Sequence, residues 1–592
     1  MRVAVLLKEK CHPKRCQHEC AAFCPINRQG AECIVIPEGQ KPIISEPLCI
    51  GCGICVNKCP FDAIRIIGLP EALETDLMHQ YGKNSFRLFR LPVPREGQVV
   101  GILGPNGIGK STSLRLLSGE EVPNLGDWEN AKPSWDPVLE RYKGTELGDY
   151  LKRVANEKLR VATKPQYVDR LPKVVGGKVS DLLHKVDERN AYDDIVAELG
   201  LGEAVKRDLA ELSGGELQRV AVGATLLKDS DLYFFDEPSS YLDIHQRLRV
   251  SRTISKLAEK KPVLVIEHDL AVLDFLAESV HLVYGEEGAY GVFTPSKNVR
   301  HAINLYLGGF LKEENIRVRD APIEFAEHPP KRDAHRIPLI SYSNVEKKME
   351  GFSLHVDSGV VHHGEVVGVV GPNATGKTTF VKILAGVGEA DAGKIEGSVK
   401  VSYKPQYIKP DFTGTVRDLL ITQAAHLLNS SFHEAEIVHP LQLRPLMEKD
   451  VDKLSGGELQ RVAIALALAR PADLYLLDEP SAYLDSNQRM VAARTIRRVL
   501  EKEAKAGFVV DHDVYFIDMV SDSLMVFGGQ PGRRGEAVGP LDLRTGMNRF
   551  LSGLDITFRR DPDSHRPRIN KPGSRLDQEQ RGQGEFYYRV AA

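Results

Sequence analysis

Two stretches of this 592-residue chain are the same octapeptide, Leu-Ser-Gly-Gly-Glu-Leu-Gln-Arg, at 212–219 and again at 454–461. Self-similarity on that scale marks a duplicated fold, so the chain must build one architecture twice. Other pieces recur in the same order. Gly104-Pro-Asn106-Gly107-Ile-Gly109-Lys110-Ser111-Thr112 returns as Gly371-Pro-Asn373-Ala374-Thr-Gly376-Lys377-Thr378-Thr379. Each copy fits G-x4-G-K-[ST], follows a strand-like apolar run and opens a helix-like one, the setting in which such a loop cradles phosphate. Loop N–H groups and the helix N-terminus are expected to hold the phosphates. Lys110 or Lys377 would reach the β/γ oxygens, and Ser111 or Thr378 would bind Mg²⁺.

Downstream, an apolar strand ends in Asp236-Glu237-Pro238, and its copy ends in Asp478-Glu479-Pro480. Such a pair sets one carboxylate on the Mg²⁺ side and a second where it can polarise water. Each is followed by Tyr-Leu-Asp, ending at Asp243 and Asp485, and then by a strand that delivers His268 or His512. Upstream, Lys164-Pro-Gln166-Tyr returns as Lys404-Pro-Gln406-Tyr. These residues resemble the nucleotide-binding domains of the ABC ATPase superfamily, motif for motif and in order, in both halves. The resemblance implies two domains paired head to tail with ATP between them. One nucleotide would lie between Lys110, Gln166, Asp236, Glu237 and His268 on one side and Ser455 and Gly457 on the other. The second would lie between Lys377, Gln406, Asp478, Glu479 and His512 and the opposing Ser213 and Gly215. Glu237, His268, Glu479 and His512 are the expected catalytic set. Adenine would stack on Tyr81 or Phe86 in the first half and Tyr342 or Phe352 in the second, ordinary sheet packing being an equal alternative for each.

All nine cysteines fall between Cys11 and Cys59. Cys49-x2-Cys52-x2-Cys55-x3-Cys59-Pro60 is the bacterial ferredoxin run, and Cys11-x4-Cys16-x3-Cys20-x3-Cys24-Pro25 is a wider relative of it. By the crossed-ligand rule, one 4Fe-4S cluster takes Cys49, Cys52, Cys55 and Cys24, and a second takes Cys11, Cys16, Cys20 and Cys59. Two Cys-Pro-terminated quartets fit a pair of zinc sites poorly. Cys33 is left over as a buried free thiol.

Spacing between motifs locates an insertion. Lys110 and Gln166 are 56 residues apart, against 29 for Lys377 and Gln406. The excess lies at about 127–160, which reads as two short helices around Gly144 and carries both tryptophans, Trp128 and Trp135. With Arg141, Tyr142, Lys143, Lys152 and Arg153 it suits either a binding surface or a self-packed hairpin. The division expected is 1–70, a ferredoxin-like α+β domain; 71–300, a first P-loop α/β domain; 301–340, a hinge with Pro329-Pro-Lys-Arg332; 341–545, a second α/β domain; and 546–592, a basic C-terminal hinge segment. Net charge is −3, so polyanions must be met by local patches. No run of eighteen apolar residues is present, and the expectation is a cytoplasmic chain without a membrane span.

An ABC pair with a ferredoxin-like head and the ending Arg566-Pro-Arg-Ile-Asn-Lys-Pro-Gly-Ser-Arg575 resembles, over nearly the whole chain, the ribosome-recycling ABC-E ATPases, the RNase L inhibitor family. That resemblance implies an ATP hydrolase that splits ribosomes into subunits after termination or rescue. Its partners would be a release-factor-like protein and the small subunit with its rRNA, met by a monomer whose two ABC domains pair within the chain. A redox or cluster-handling ATPase is the alternative, since paired clusters usually carry electrons. An ABC-type chromosome ATPase would need long heptad arms between P-loop and signature, an interval that spans only 103 residues here.

Overall fold

In the computed structural model, which describes residues 2–130, 132–157, 159–319, 321–325, 337–397, 399–406 and 412–587, the repeats form two copies of one α/β lobe. The core of the first sheet runs Ser279–Glu286, Val99–Leu103, Val263–Ile266, Leu232–Asp236, Val161–Lys164, all parallel. The second repeats the order with Ser523–Gln530, Val366–Val370, Ala506–Val510, Leu474–Asp478 and Val401–Lys404. Every residue of Val99–Leu103 and of Val366–Val370 is buried. Helices cover both faces of a parallel sheet, which is why these strands are uniformly apolar rather than alternating. The P-loops, the acid pairs and the histidines all leave the carboxyl ends of these strands, where open parallel sheets bind ligands.

The head pairs Arg2–Leu6 with Ile64–Gly68 and Ile34–Val35 with Ile43–Ile44 around short helices Glu19–Ala22, Pro25–Arg28 and Ile54–Lys58. Its core is Ala4, Leu6, Ile34, Ile44, Ala63 and Ile64 together with the thiols of Cys11, Cys20, Cys24, Cys33, Cys49 and Cys55. So few aliphatic side chains make a marginal core for a body of this size. The other face of its edge strand, Val3 and Val5, packs into the first lobe. There Asn84, buried and at φ 51°, donates to the carbonyls of Ala4 and Ile44 (both 3.0 Å) and accepts from the Ile44 N–H at 2.8 Å. Arg87 adds an ion pair to Glu46 at 2.9 Å, and Arg65 one to Glu286 at 2.6 Å.

The insertion forms helices Asp136–Arg141 and Glu146–Glu157, with Gly144 at φ +74° between them. Val138, Leu147, Leu151 and Val154 are buried against Leu114 and Leu117 of the first lobe, and Trp135 packs on the same cluster. Lys143 and Lys152 remain exposed. The hairpin thus packs by its apolar face and presents a face of mixed charge, on which Arg141, Lys143, Lys152 and Arg153 stand beside Glu140, Glu146, Asp149 and Glu157.

Three expected boundaries cut through elements. Helix Val299–Gly308 crosses 300, strand Pro338–Met349 crosses 340, and helix Leu543–Leu554 crosses 545. The last buries Met547, Phe550, Leu551 and Leu554 in the second lobe's core, so that lobe extends to Asp555, which caps the helix at φ 55°. Residues 329–332 of the expected hinge, Tyr407 and Arg589 lie outside the described residues. The basic C-terminal stretch is not a solvated tail. Arg566 is 0% exposed, donating to Asp274 at 2.9 Å and to the Tyr515 hydroxyl at 2.6 Å. Arg568 reaches the same Asp274 at 2.7 Å, and Arg300 pairs with Asp561 at 2.8 Å. These bonds tie the two lobes along one seam, beside Tyr306 and Ser486, whose hydroxyls lie 2.9 Å apart.

Candidate functional site

Each P-loop turns through left-handed glycine into its helix. Gly109 (φ 90°) and Gly376 (φ 95°) cap helices Lys110–Ser118 and Lys377–Leu384. A Cβ on Gly109 would meet the Phe86 ring at 2.6 Å, and one on Gly376 the Phe352 ring at 3.2 Å, so equivalent aromatics lie on the last glycine of both loops. Tyr342 does not. It is buried in the sheet, donating to Gly539 O, which removes it as an adenine platform. Tyr81 stands at the rim, its hydroxyl 3.3 Å from Thr112 Oγ1, with the Arg115 guanidinium 5.8 Å from its ring centre. Ala374, the departure from Gly107, adopts φ 58° where Gly107 has 71°. Its carbonyl accepts from Gly532 N–H at 2.9 Å, as Gly107's does from Gly288 N–H. The loop is the same shape in both.

Both P-loop lysines are buried and folded back. Lys110 Nζ donates to Gly104 O at 2.7 Å and lies 3.1 Å from His268 Nε2 and 3.3 Å from Asn106 Oδ1. Lys377 Nζ donates to Gly371 O at 2.9 Å and Pro372 O at 2.6 Å. Desolvation lowers both pKa values, that of Lys377 to about 8. Phosphate oxygens are better partners for an ammonium than these carbonyls, so the ammonium is poised for exchange. Burial also lifts Asp236 and Asp478 to about 6. A divalent cation there would favour the carboxylates, and Thr378 Oγ1 already donates to Asp478 at 2.8 Å. The residues fit Mg²⁺ on this chemistry.

Glu237 and Glu479 are each addressed by a glutamine and a histidine. Gln166 Nε2 donates to Glu237 Oε1 at 2.6 Å, and Gln406 to Glu479 at 2.7 Å. His268 and His512 lie 3.5 Å and 3.6 Å from the same oxygens. Burial depresses His268 well below the usual histidine range, with Lys110 and Arg489 adding to it, so that imidazole is neutral. Burial raises the Glu479 pKa, but hydrogen bonding and charge from His512 and Gln406 outweigh it and hold the carboxyl at about 2.

The lobes meet at these sites. Asp243 of the first lobe accepts from the Asn373 N–H of the second P-loop at 3.0 Å, and Asp485 of the second lobe acts electrostatically on Lys110. Tyr241 and Tyr483 meet edge to face with ring centres 6.3 Å apart. Ser213 and Ser455 cap helices Gly214–Leu227 and Gly456–Ala469 reciprocally with Glu216 and Glu458, whose carboxylates accept from the serine N–H groups at 3.0 Å, and Gly215 and Gly457 stand partly exposed in the first turns.

Sequence reasoning missed the residues behind the glutamates. Lys164 and Gln218, with Lys404 and Gln460, reach the backbone of the acid pairs. Their identity in both repeats was a visible signal, unread because neither residue type there suggests chemistry.

In the head, Cys24, Cys49, Cys52 and Cys55 line one small cavity, together with Cys33. Cys11, Cys16, Cys20 and Cys59 lie within electrostatic reach of one another. No three His, Cys, Asp or Glu side chains among the described residues converge enough to chelate a single ion. Burial pushes Cys20 to about 11 and Cys55 to about 12, so the thiolates need a cationic core to form. The cysteines of each expected quartet thus lie near one another, and their thiol chemistry suits iron–sulfur ligation.

Comparison with known proteins follows the same outline. The family model for ABC transporters matches residues 94–240 and 354–482, that for a possible Fer4-like domain in RNase L inhibitor matches 1–32, and that for a 4Fe-4S binding domain matches 42–65. Translation initiation factor RLI1 of Saccharomyces cerevisiae is 44% identical over 99% of this chain and 98% of its own. A structure described as ribosome-bound archaeal Pelota and ABCE1 contains a chain 53% identical, with a TM-score of 0.94, covering 100% of this chain and 99% of that one. A complex of archaeal ribosomal stalk protein aP1 with the ribosome recycling factor aABCE1 matches at 52% identity and TM-score 0.83, over 87% and 100%. No described helix is long and apolar enough to cross a membrane.

Proposed function

Because the chain belongs to the RNase L inhibitor, or ABC-E, family, whose members are ATP-hydrolysing ABC proteins and not transporters, we propose that it is an ATP-driven ribosome recycling factor. Its partners are the ribosome and a release-factor-like protein, its place the cytoplasm. Lys110, Gln166, Asp236, Glu237 and His268 bind and hydrolyse one ATP against Ser455 and Gly457, and the second set does so against Ser213 and Gly215. The phosphates exchange with the carbonyls that now hold the two lysines. Glu237 and Glu479, oriented by glutamine and histidine, position the attacking water. Closure needs both faces, because helix N-terminal dipoles reach the γ-phosphate only across the seam.

One observation carries the mechanical part. The turn at 286–289 bonds the first P-loop through Gly288 N–H and Gly107 O (2.9 Å), and bonds the head through Glu286 and Arg65 (2.6 Å). A change in that loop therefore reaches the head through one turn. Two 4Fe-4S clusters, held by Cys49, Cys52, Cys55 and Cys24 and by Cys11, Cys16, Cys20 and Cys59, supply rigidity to a head with little apolar core. The head is displaced on closure and splits the ribosome, and the protein stays with the small subunit through the insertion and the seam.

The test is a sucrose gradient of purified ribosomes with the anaerobically purified protein, ATP and a release-factor homologue. The full-ribosome peak should disappear, and protein with Glu237→Gln and Glu479→Gln should sediment with the small subunit. Cys52→Ser should bind ATP yet split nothing. An unchanged peak from protein with an intact cluster spectrum and measurable ATPase activity would sink the reading in favour of a redox role.

A further inference from the structure

The glutamate after the strand in each nucleotide site is held by its backbone. Glu237 and Glu479 sit at φ 48° and 47°, a left-handed conformation that side-chain-bearing residues seldom adopt. The N–H of each returns to the sheet, to Ile266 O at 2.9 Å and Val510 O at 2.8 Å. The carbonyl of each accepts from two side chains. Gln218 Nε2 lies 2.6 Å and Lys164 Nζ 3.1 Å from Glu237 O; Gln460 and Lys404 lie 2.8 Å and 3.2 Å from Glu479 O. Each lysine also reaches the carbonyl one residue earlier, Asp236 O or Asp478 O, at 2.7 Å. None of the four side chains is more than 1% exposed. Burying an ammonium is costly, and two lobes that do it at the same place in the same geometry share one requirement.

The two donors come from elements of different kinds. The lysines end the sheet strands Val161–Lys164 and Val401–Lys404. The glutamines lie on the signature helices Gly214–Leu227 and Gly456–Ala469, one turn beyond Ser213 and Ser455. The Gln218 Oε1 atom is buried with no hydrogen-bond partner, so the Glu237 carbonyl alone orients that amide. Each glutamate peptide is therefore set between one anchor on the sheet and one on the signature helix.

We propose that Lys164 with Gln218, and Lys404 with Gln460, are positioning residues for Glu237 and Glu479, and that the two glutamines carry the occupancy of one nucleotide site to the glutamate of the other. When Ser213 engages the second nucleotide, the signature helix shifts as a rigid body and takes the Gln218 amide with it. The Glu237 peptide, pinned by Lys164, turns its carboxylate in response. This rests on the composite-site reading above.

The experiment uses the full-length protein with Glu479→Gln, so that hydrolysis is confined to the first site, and compares it with added Gln218→Met, Lys164→Met and Ser213→Ala. Gln218→Met should lower kcat by about tenfold or more with KM for ATP within about threefold, the split expected of a group that acts only after binding. Ser213→Ala should slow the first site when Gln218 is present and add nothing when it is Met, whereas in Lys164→Met it should keep its effect. The mirrored set, Gln460→Met and Lys404→Met with Glu237→Gln, covers any variant that fails to fold, as judged by thermal melting. Unchanged kcat, a joint loss of kcat, KM and melting temperature, or Ser213→Ala effects that ignore Gln218 would each overturn the proposal. If Glu237→Gln added to Glu479→Gln leaves turnover intact, the assignment of the glutamate is what fails.

Discussion

Replacing Asn84 with alanine should undock the head from the first lobe while leaving both folded. Three side-chain bonds are lost: those to Ala4 O and Ile44 O at 3.0 Å and that from Ile44 N–H at 2.8 Å. The backbone bond from Leu6 N–H to Asn84 O, 2.8 Å, survives the substitution. At about 1 kcal/mol net for each, the joint weakens by roughly 3 kcal/mol. The left-handed φ of 51° suits asparagine better than alanine and adds a little more. A loss of that size corresponds to an opening equilibrium on the order of a hundredfold more favourable. Hydrogen exchange followed by mass spectrometry reads it directly. Peptides carrying the Ala4, Leu6 and Ile44 amides should exchange about a hundredfold faster, while those from Val99–Leu103 keep their protection. Equal acceleration in both regions would mean the lobe itself had loosened, and unchanged protection at Ile44 would refute the joint altogether.

Other consequences can be checked in parallel. The folded-state pKa of Asp478, about 6, lies above its ordinary 3.8, so the ionised group costs stability above pH 6 and the cost fades as pH drops towards 4. Nucleotide-free Asp478→Asn should therefore be more stable than wild type at pH 8, by about 2–3 kcal/mol for the second lobe, with about half of that gap left at pH 5 and little of it below pH 4; a gap that widens in acid contradicts the sign. Asp274→Ala strips Arg566 and Arg568 of the carboxylate they share and should cost about 3–5 kcal/mol of lobe docking, visible as a split calorimetric transition. Lys143→Glu with Lys152→Glu should weaken binding to the small subunit and flatten its salt dependence by roughly one to two logarithmic units per unit log salt. An unaltered slope would take the insertion off the RNA.

What could be read in the sequence was whatever is local in the chain. P-loops, acid pairs and Cys-Pro quartets state their chemistry in runs of a few residues, and duplication doubled each signal. The insertion's two helices were legible because Gly144 and the apolar spacing punctuate them. Pairs joined only by folding were not. Nothing near Asn84 in sequence points to Ile44, nor near Asp274 to Arg566, because the sheet order that brings them together is set by distant strands. The left-handed backbone of Glu237 was equally hidden, since that conformation is announced by glycine and a glutamate there is held by Gln218 and Lys164 from elsewhere. Boundaries failed for a related reason: charged, proline-rich composition suggested linkers where Leu543–Leu554 and Arg566 are buried.

The turn at 286–289 has a counterpart in the second lobe, where Gly532 N–H meets Ala374 O at the same 2.9 Å. Among the described residues, the first of these two turns carries the head, through Arg65 and through Leu7 packed against Gly288, and the second does not. Two sites that duplication made equivalent are thereby split as a degenerate pair is split by a field applied to one member. On the proposed reading, whatever resists the head's displacement loads one P-loop and not the other, which would give the two hydrolysis events an order. On that reading a duplicated enzyme has no first and second stroke, and fusing the head to one copy would create them.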